Sequence, residues 1–373
     1  MSRQCVLCAA AVTSMSVLTG CGDGLPLFEK IVEHRILSAP VIVTSPHDPE
    51  AVPQGYARAE ALPGETVQLS PFVVGPDGVV DAADLDLRWI ACELFPGRGE
   101  FACLSESFPQ SLDELPACDF PTLEEVAMSG APADIETPCF LGDDPNPTFT
   151  IPVSVGVVSG ADIELTAIGS TPGGTPTDRC AADILAGKDN LPNDCIYAVQ
   201  VASVGSKARL IDWLLSVGIE LDEVEAPDPS SIDDPDLHPR VTSFRVSVVD
   251  DSGKELTDPV EVALGGEFAA KPGQTLRIDT TSPESDLQDF RIPVNLGASL
   301  EDRQEQYYGQ WFITWGELLS NESLDPESYN EWRLKPAGDD AETPPDGVAH
   351  LYYVVRDGRN GAAHWWISLR IEP

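Results

Sequence analysis

The groups that could do chemistry in this 373-residue chain are nine cysteines, five histidines and 62 acidic residues. Cys5-Val-Leu-Cys8 has the spacing of a redox or metal-binding pair, but it lies within residues 1–20, a segment built for removal. The histidines, at 34, 47, 238, 350 and 364, are scattered. His350 and His364 fall on the two strands of the last hairpin and could meet across it, yet a zinc site there would need further ligands that the sequence does not offer. No H-E-x-x-H, G-x-S-x-G, S-x-x-K or phosphate-binding glycine loop occurs. Carboxylates are so abundant that pairing any two as acid and base would be arbitrary. No residue is therefore assigned a catalytic or metal-binding role, and no cofactor is implied. Calcium on acidic loops is the one cation kept open, at residues 233–239 and at Asp143-Asp144, although neither stretch carries the ligand order of an EF-hand loop.

The cellular address is easier to read. Residues 1–20 combine Arg3, an apolar run from Cys5 to Leu18 and small residues at the exit, the three parts of an export signal. At roughly 1.5 Å per residue the apolar run makes about 21 Å of helix, short of the ~30 Å of a bilayer core. Leu18-Thr19-Gly20-Cys21 resembles a bacterial lipobox at all four positions. The resemblance implies cleavage before Cys21, acylation of that residue and a lipid anchor in the membrane. Gly22 follows, not the aspartate of an inner-membrane retention signal, so the outer membrane is the expected location. Residues 21–35 then form a membrane-proximal tether.

Six cysteines remain beyond Cys21: Cys92, Cys103, Cys118, Cys139, Cys180 and Cys195. An even set in an exported chain reads as three disulfides. Short loops close most easily, which favours the sequential pairs 92–103, 118–139 and 180–195. The formal net charge of −40 repels phosphate backbones, so nucleic acid is excluded as a partner.

The elements that carry these residues follow from a repeat. Pro63-Gly64-Glu65-Thr66-Val67-Gln68-Leu69 reads like Pro272-Gly273-Gln274-Thr275-Leu276-Arg277-Ile278. Both are a Pro-Gly turn followed by alternating apolar and polar residues, as a half-buried strand requires. Each has a β-branched segment upstream and a tryptophan strand downstream, around Trp89 in one and Trp311 and Trp315 in the other. The chain closes on two strands around Arg356-Asp357-Gly358-Arg359-Asn360-Gly361. On these residues the chain resembles the Ig-like and PKD-like β-sandwich domains of bacterial surface lipoproteins, with Asn360 where that pattern often has glycine. The expected fold is all-β: two Ig-like or PKD-like antiparallel sandwiches in tandem, residues 36–221 and 240–373. The first carries a disulfide-rich acidic insertion at 93–147, ordered by its cystines and not by a core, and one short helix at 206–217. Residues 222–239, with seven acids and four prolines, read as a stiff, self-repelling linker.

Alternation in the last strand puts Trp365 and Trp366 on opposite faces. Trp366 is then the outward ring, a ligand-binding residue for an envelope glycan or protein partner, unless the 317–347 connection covers it. The functional expectation is a lipid-anchored envelope protein with a binding, adhesion or structural role, not an enzyme. The other reading is an exported hydrolase-type enzyme using carboxylates of the insertion, or an accessory subunit of one. A deep pocket with convergent polar groups would favour the enzyme.

Overall fold

The computed structural model describes residues 28–372 apart from 50–51, 96–102, 104–110, 130–131, 187–190, 219–226, 229–231, 295–298, 325–326 and 337–343. The export segment and Cys21 lie outside the described residues. What is described is predominantly β-structure in several sheets with few helices. No helix of the described residues is long and apolar enough to cross a membrane.

The repeat in the sequence is a repeat of topology. In the first copy, Glu60–Ala61 runs into the Pro63-Gly64 turn and emerges as Thr66–Leu69 in a facing sheet. In the second, Glu267–Ala270 runs through Pro272-Gly273 into Thr275–Thr281. Gly64 and Gly273 turn the chain with φ of +83° and +79°, a conformation that glycine adopts at low cost. The strand before each turn pairs parallel with the last strand of its copy, Cys195–Val204 or Ala362–Ile371. Beyond that strand the order also agrees. Asp162–Ser170 and Asp86–Leu94 follow in one sheet, Val348–Arg356 and Tyr308–Ile313 in the other. The strand after each turn pairs antiparallel with the upstream β-branched strand, Val41–Ser45 or Ser243–Val249.

Each copy buries a core between its facing sheets, a sandwich-like arrangement. Val67, Leu69 and Phe149 meet Trp89, Leu165 and Ala167 in the first. Leu276, Ile278 and Trp332 meet Trp311, Leu351 and Ile367 in the second. Alternation decides which side chains enter: Trp365 joins this second core, its ring stacked 6.0 Å from Phe244.

A third small sheet, Arg35–Ser38, Phe72–Gly75 and Gly78–Val80, lies between the two copies. Phe72 and Val74 face the second copy with Ile31 and Leu37, while Val73 faces the first with Leu85, Leu87 and Ile196. A strand buried on both faces needs apolar residues in succession, which Phe72-Val73-Val74 supplies. The tether expected at 21–35 is fastened to the second copy at Ile31, although Phe28 and Val32 stay exposed. Ile31 is buried and donates its N–H to the Ile313 carbonyl at 2.9 Å.

The six cysteines join as Cys92–Cys103, Cys118–Cys139 and Cys180–Cys195. The expectation of one helix falls short, because four α-helices occur among the described residues, besides short 3-10 turns. Lys207–Ser216 is the expected one; Ser206 caps it and Leu210, Trp213 and Leu214 enter the first core. Thr177–Leu185 was not expected. It lies on the outer face of the Asp86–Leu94 and Asp162–Ser170 strands through buried Cys180 and Ala181, beside Ile90 and Ile168. The insertion is also more than cystine-braced loop. Its helix Leu123–Ser129 sends Val126 into the first core, and Leu112 and Leu115 pack beside the cystines. Two well-placed apolar side chains per segment suffice once a disulfide has shortened the loop.

Candidate functional site

The residues expected to do chemistry separate in space. Across the final hairpin His350 faces Ser368 and His364 faces Val354, so the two histidines do not meet. His364 instead stacks on Phe72 with ring centroids 4.0 Å apart, and burial depresses it to a pKa of about 4. Trp366 is not an outward ring. It is partly buried, packed on the cluster to which Phe72, Val74, Tyr352 and Ile31 belong, and Gly265 lies so close that a Cβ there would stand 2.9 Å from the indole. Parity along the strand is as expected, but the small sheet and the segment before it pack over that face. Glu125 of the insertion accepts from the Thr122 N–H and hydroxyl, so it caps its own helix.

The polar chemistry concentrates where residues 232–240 run between the copies. This stretch is not a free linker. Leu237 bridges Arg58 in antiparallel fashion, the Ala59 N–H donates to the Asp236 carbonyl, and the His238 N–H donates to the Ala57 carbonyl. Gln288 brackets it by donating to the Pro235 carbonyl and accepting from the Leu237 N–H. Of the acids, Asp233 is held by Arg291 with contacts of 2.9 and 2.8 Å. Among the described acids of the stretch, Asp233 is thus answered by an arginine distant in sequence.

His238 fastens three elements at once. The Ala362 N–H donates to its Nδ1 at 3.0 Å, so the ring proton sits on Nε2, which donates to the Val41 carbonyl at 3.0 Å. Burial lowers its pKa and keeps the ring neutral. Nearby, Arg58 and Glu65 form a buried two-pronged ion pair, both contacts 2.8 Å. Glu65 also accepts the His47 and Leu62 N–H groups.

Below this lies a nest of acids around one guanidinium. Arg359 donates to Glu305 at 3.0 Å and to Glu60 at 3.3 Å, and stands 3.9 Å from Asp236. Glu60 is shared with Arg209 at 2.9 Å. Asp357 accepts from the Arg359 and Gly361 N–H groups through one oxygen. Its other oxygen, both oxygens of Asp236 and the Tyr307 hydroxyl are buried without a hydrogen bond. Burial is the first cause raising the pKa of Asp236, to about 9, and the Asp357 charge adds to it. Burial likewise raises Glu305 and Asp357. Burial would lower Arg359, but Asp236, Glu60 and Glu305 together push it up. Nothing in the composition of residues 233–239 marks Asp236 and His238 as buried. Their partners sit in distant strands, so the signal was not local.

Above the nest is an open polar groove of about 620 Å³, with Phe290 in its wall among Asp234, Asp289, Asp302 and Arg303. The Arg359 guanidinium lies 4.9 Å from the Phe290 ring, which separates groove from nest. Among the described residues, one group gathers potential metal ligands within 4.8 Å of one another: Cys92, Cys103 and Glu164. The two sulfurs are joined as a disulfide and are not thiolate ligands. Of the calcium stretches, Asp233 is taken by Arg291 and Asp144 accepts from the Asn146 N–H of its own turn.

No family model matches the chain, and no curated protein matches it. Among solved structures, dimeric latent PorU from Porphyromonas gingivalis is 13% identical with a TM-score of 0.20, over 91% of this chain and 24% of that one. The native conformation of E. coli alpha-2-macroglobulin is 10% identical with a TM-score of 0.17, over 92% of this chain and 16% of that one. The chain thus spans a quarter or less of either protein, and likenesses this distant assign neither fold nor role.

Proposed function

We propose that this chain is an exported envelope protein, anchored at the outer membrane by lipid on Cys21, that works by binding or as a structural element and not by catalysis. In this reading its halves are Ig-like or PKD-like sandwiches, and its partner is an envelope glycan or protein. The observation that carries the proposal is the cystine framework: all six cysteines after Cys21 are paired, as an oxidising compartment outside the cytoplasm allows. The lipobox-like segment supplies the route and the anchor. The repeated topology and the Asp357-Gly358 hairpin support the family resemblance. The hydrolase reading would need a deep pocket with convergent polar groups, whereas the groove beside Phe290 is open. With Trp366 committed to the interface, the groove beside Phe290 offers a surface for a partner.

The test is on Cys21. Cells expressing the chain should incorporate labelled palmitate into it, and the protein should partition into detergent. Cys21→Ser should abolish both and leave an uncleaved or soluble species. Continued labelling and membrane recovery of that variant would remove the anchor from the account.

A further inference from the structure

The nest contains four carboxylates, Glu60, Asp236, Glu305 and Asp357, and two guanidinium groups, those of Arg209 and Arg359. The carboxylates differ in their donors. Glu60 has two arginines, Asp357 has two N–H groups, and Glu305 has Arg359 and the Gln288 N–H. Asp236, 1% exposed, has no hydrogen bond to either oxygen, and Arg359 reaches it at 3.9 Å. Asp236 and Glu305 nonetheless converge on the same Nη1 of Arg359, at 3.9 and 3.0 Å, and Asp236 is the side chain that bears on the Glu305 carboxyl as a hydrogen-bond partner. Two carboxylates cannot bond to each other, because both are acceptors; one proton turns the contact into an O–H···O bond. A buried charge without donors is the costly alternative.

We propose that the contact between the copies is a proton-loaded latch, in which a protonated Asp236 donates to ionised Glu305 and ties residues 232–240 to the strands of the second copy. The other groups facing the pair do not replace that proton. Arg359 is shared among Glu60, Glu305 and Asp236, and the His238 ring is neutral with both nitrogens bonded. The Tyr307 hydroxyl is held protonated by burial and by the acids around it. Asp286, the next acid, is already paired with Arg240 and Tyr56.

The direction of the pH effect follows from the proton. The carboxyl titrates near 9 when folded and near 4 when unfolded, so folding takes a proton up between those values. Its stabilisation is complete below about pH 4 and is lost as pH rises towards 9. Across that window each pH unit should cost up to about tenfold in the folding constant. Asp162, raised by burial to about 6, adds a slope of its own, so the comparison must be with a variant that retains it.

Asp236→Asn keeps an N–H donor towards Glu305 and cannot ionise. In EDTA, the folding constant of the lipid-free chain should fall more steeply between pH 5 and 9 than that of Asp236→Asn, by up to about tenfold per unit. Glu305→Gln removes the acceptor charge and should flatten the slope only in part, because burial and Asp357 still raise Asp236. The unaltered protein should also show the infrared carbonyl band of a protonated carboxyl group at pH 7.5, where exposed acids are ionised, and lose it by pH 10. Parallel pH curves for all three proteins, or no such band, would overturn the latch. So would stabilisation by millimolar calcium that Asp236→Asn abolishes, since a cation and not a proton would then neutralise the nest.

Discussion

Arg58→Ala should destabilise the protein by about 3 to 5 kcal/mol, read as a shift in the urea midpoint at unchanged slope. The size follows from what is left behind. Glu65 is fully buried, and Arg58 supplies both of its side-chain contacts, at 2.8 Å each. Alanine would leave that carboxylate with only the His47 and Leu62 N–H groups. The same guanidinium also donates to the Glu60 carbonyl at 3.1 and 2.9 Å, so the variant orphans a backbone acceptor too. Replacing Arg58 and Glu65 together by methionine and leucine should cost much less, because no uncompensated charge remains. Equal losses in the single and double variants would show that packing at Arg58, not the ion pair, holds the turn before Pro63.

Trp366→Ala should cost about 3 kcal/mol, at the low end of tryptophan truncations because the ring is only partly buried. The loss comes from the layer between the copies. The indole packs on the cluster that includes Phe72, Val74, Tyr352 and Ile31 and lies against Gly265, which has no Cβ to stand in the way. A Trp366→Phe variant should recover part of the loss. An unchanged midpoint for Trp366→Ala would return the ring to solvent and restore it as a contact for a partner.

These two residues mark what a sequence can and cannot say about this molecule. The Pro-Gly repeat was legible because turn chemistry and strand alternation are local. Gly64 and Gly273 do turn at nearly the same φ, and the strands after them pair as their upstream partners suggested. Alternation likewise placed Trp365 in the second core. It could not say what covers Trp366, since a period of two assigns faces and not neighbours. A usable signal was passed over in Phe72-Val73-Val74, where three successive apolar residues fit a strand buried on both sides better than one with a wet face.

The nest was hidden for a different reason. Counted along the chain, residues 222–239 repel one another. In space Asp233 meets Arg291, while Asp236 approaches Glu305 and Arg359, all far off in sequence. Among its described residues, the apolar side chains that the unexpected helix Thr177–Leu185 gives to the cluster beneath it are Cys180, Ala181 and Ile184. That is too narrow a stripe to read by periodicity without the cystine that pins it to Cys195.

The two copies act as one unit, joined by the small sheet, by the 232–240 stretch and by Trp366. Fragment 240–373 carries no cysteine and contains a complete core, so independence is a fair competing expectation. Its outer face, however, would expose Phe312, Tyr352, Val354 and Trp366 on losing Ile31, Leu37, Phe72 and Val74. Scanning calorimetry of the lipid-free chain beside that fragment is the direct measurement. The account predicts one cooperative transition for the whole chain, and a fragment that aggregates or melts well below it. Two separate transitions, with the fragment reproducing one of them at the same temperature, would contradict it.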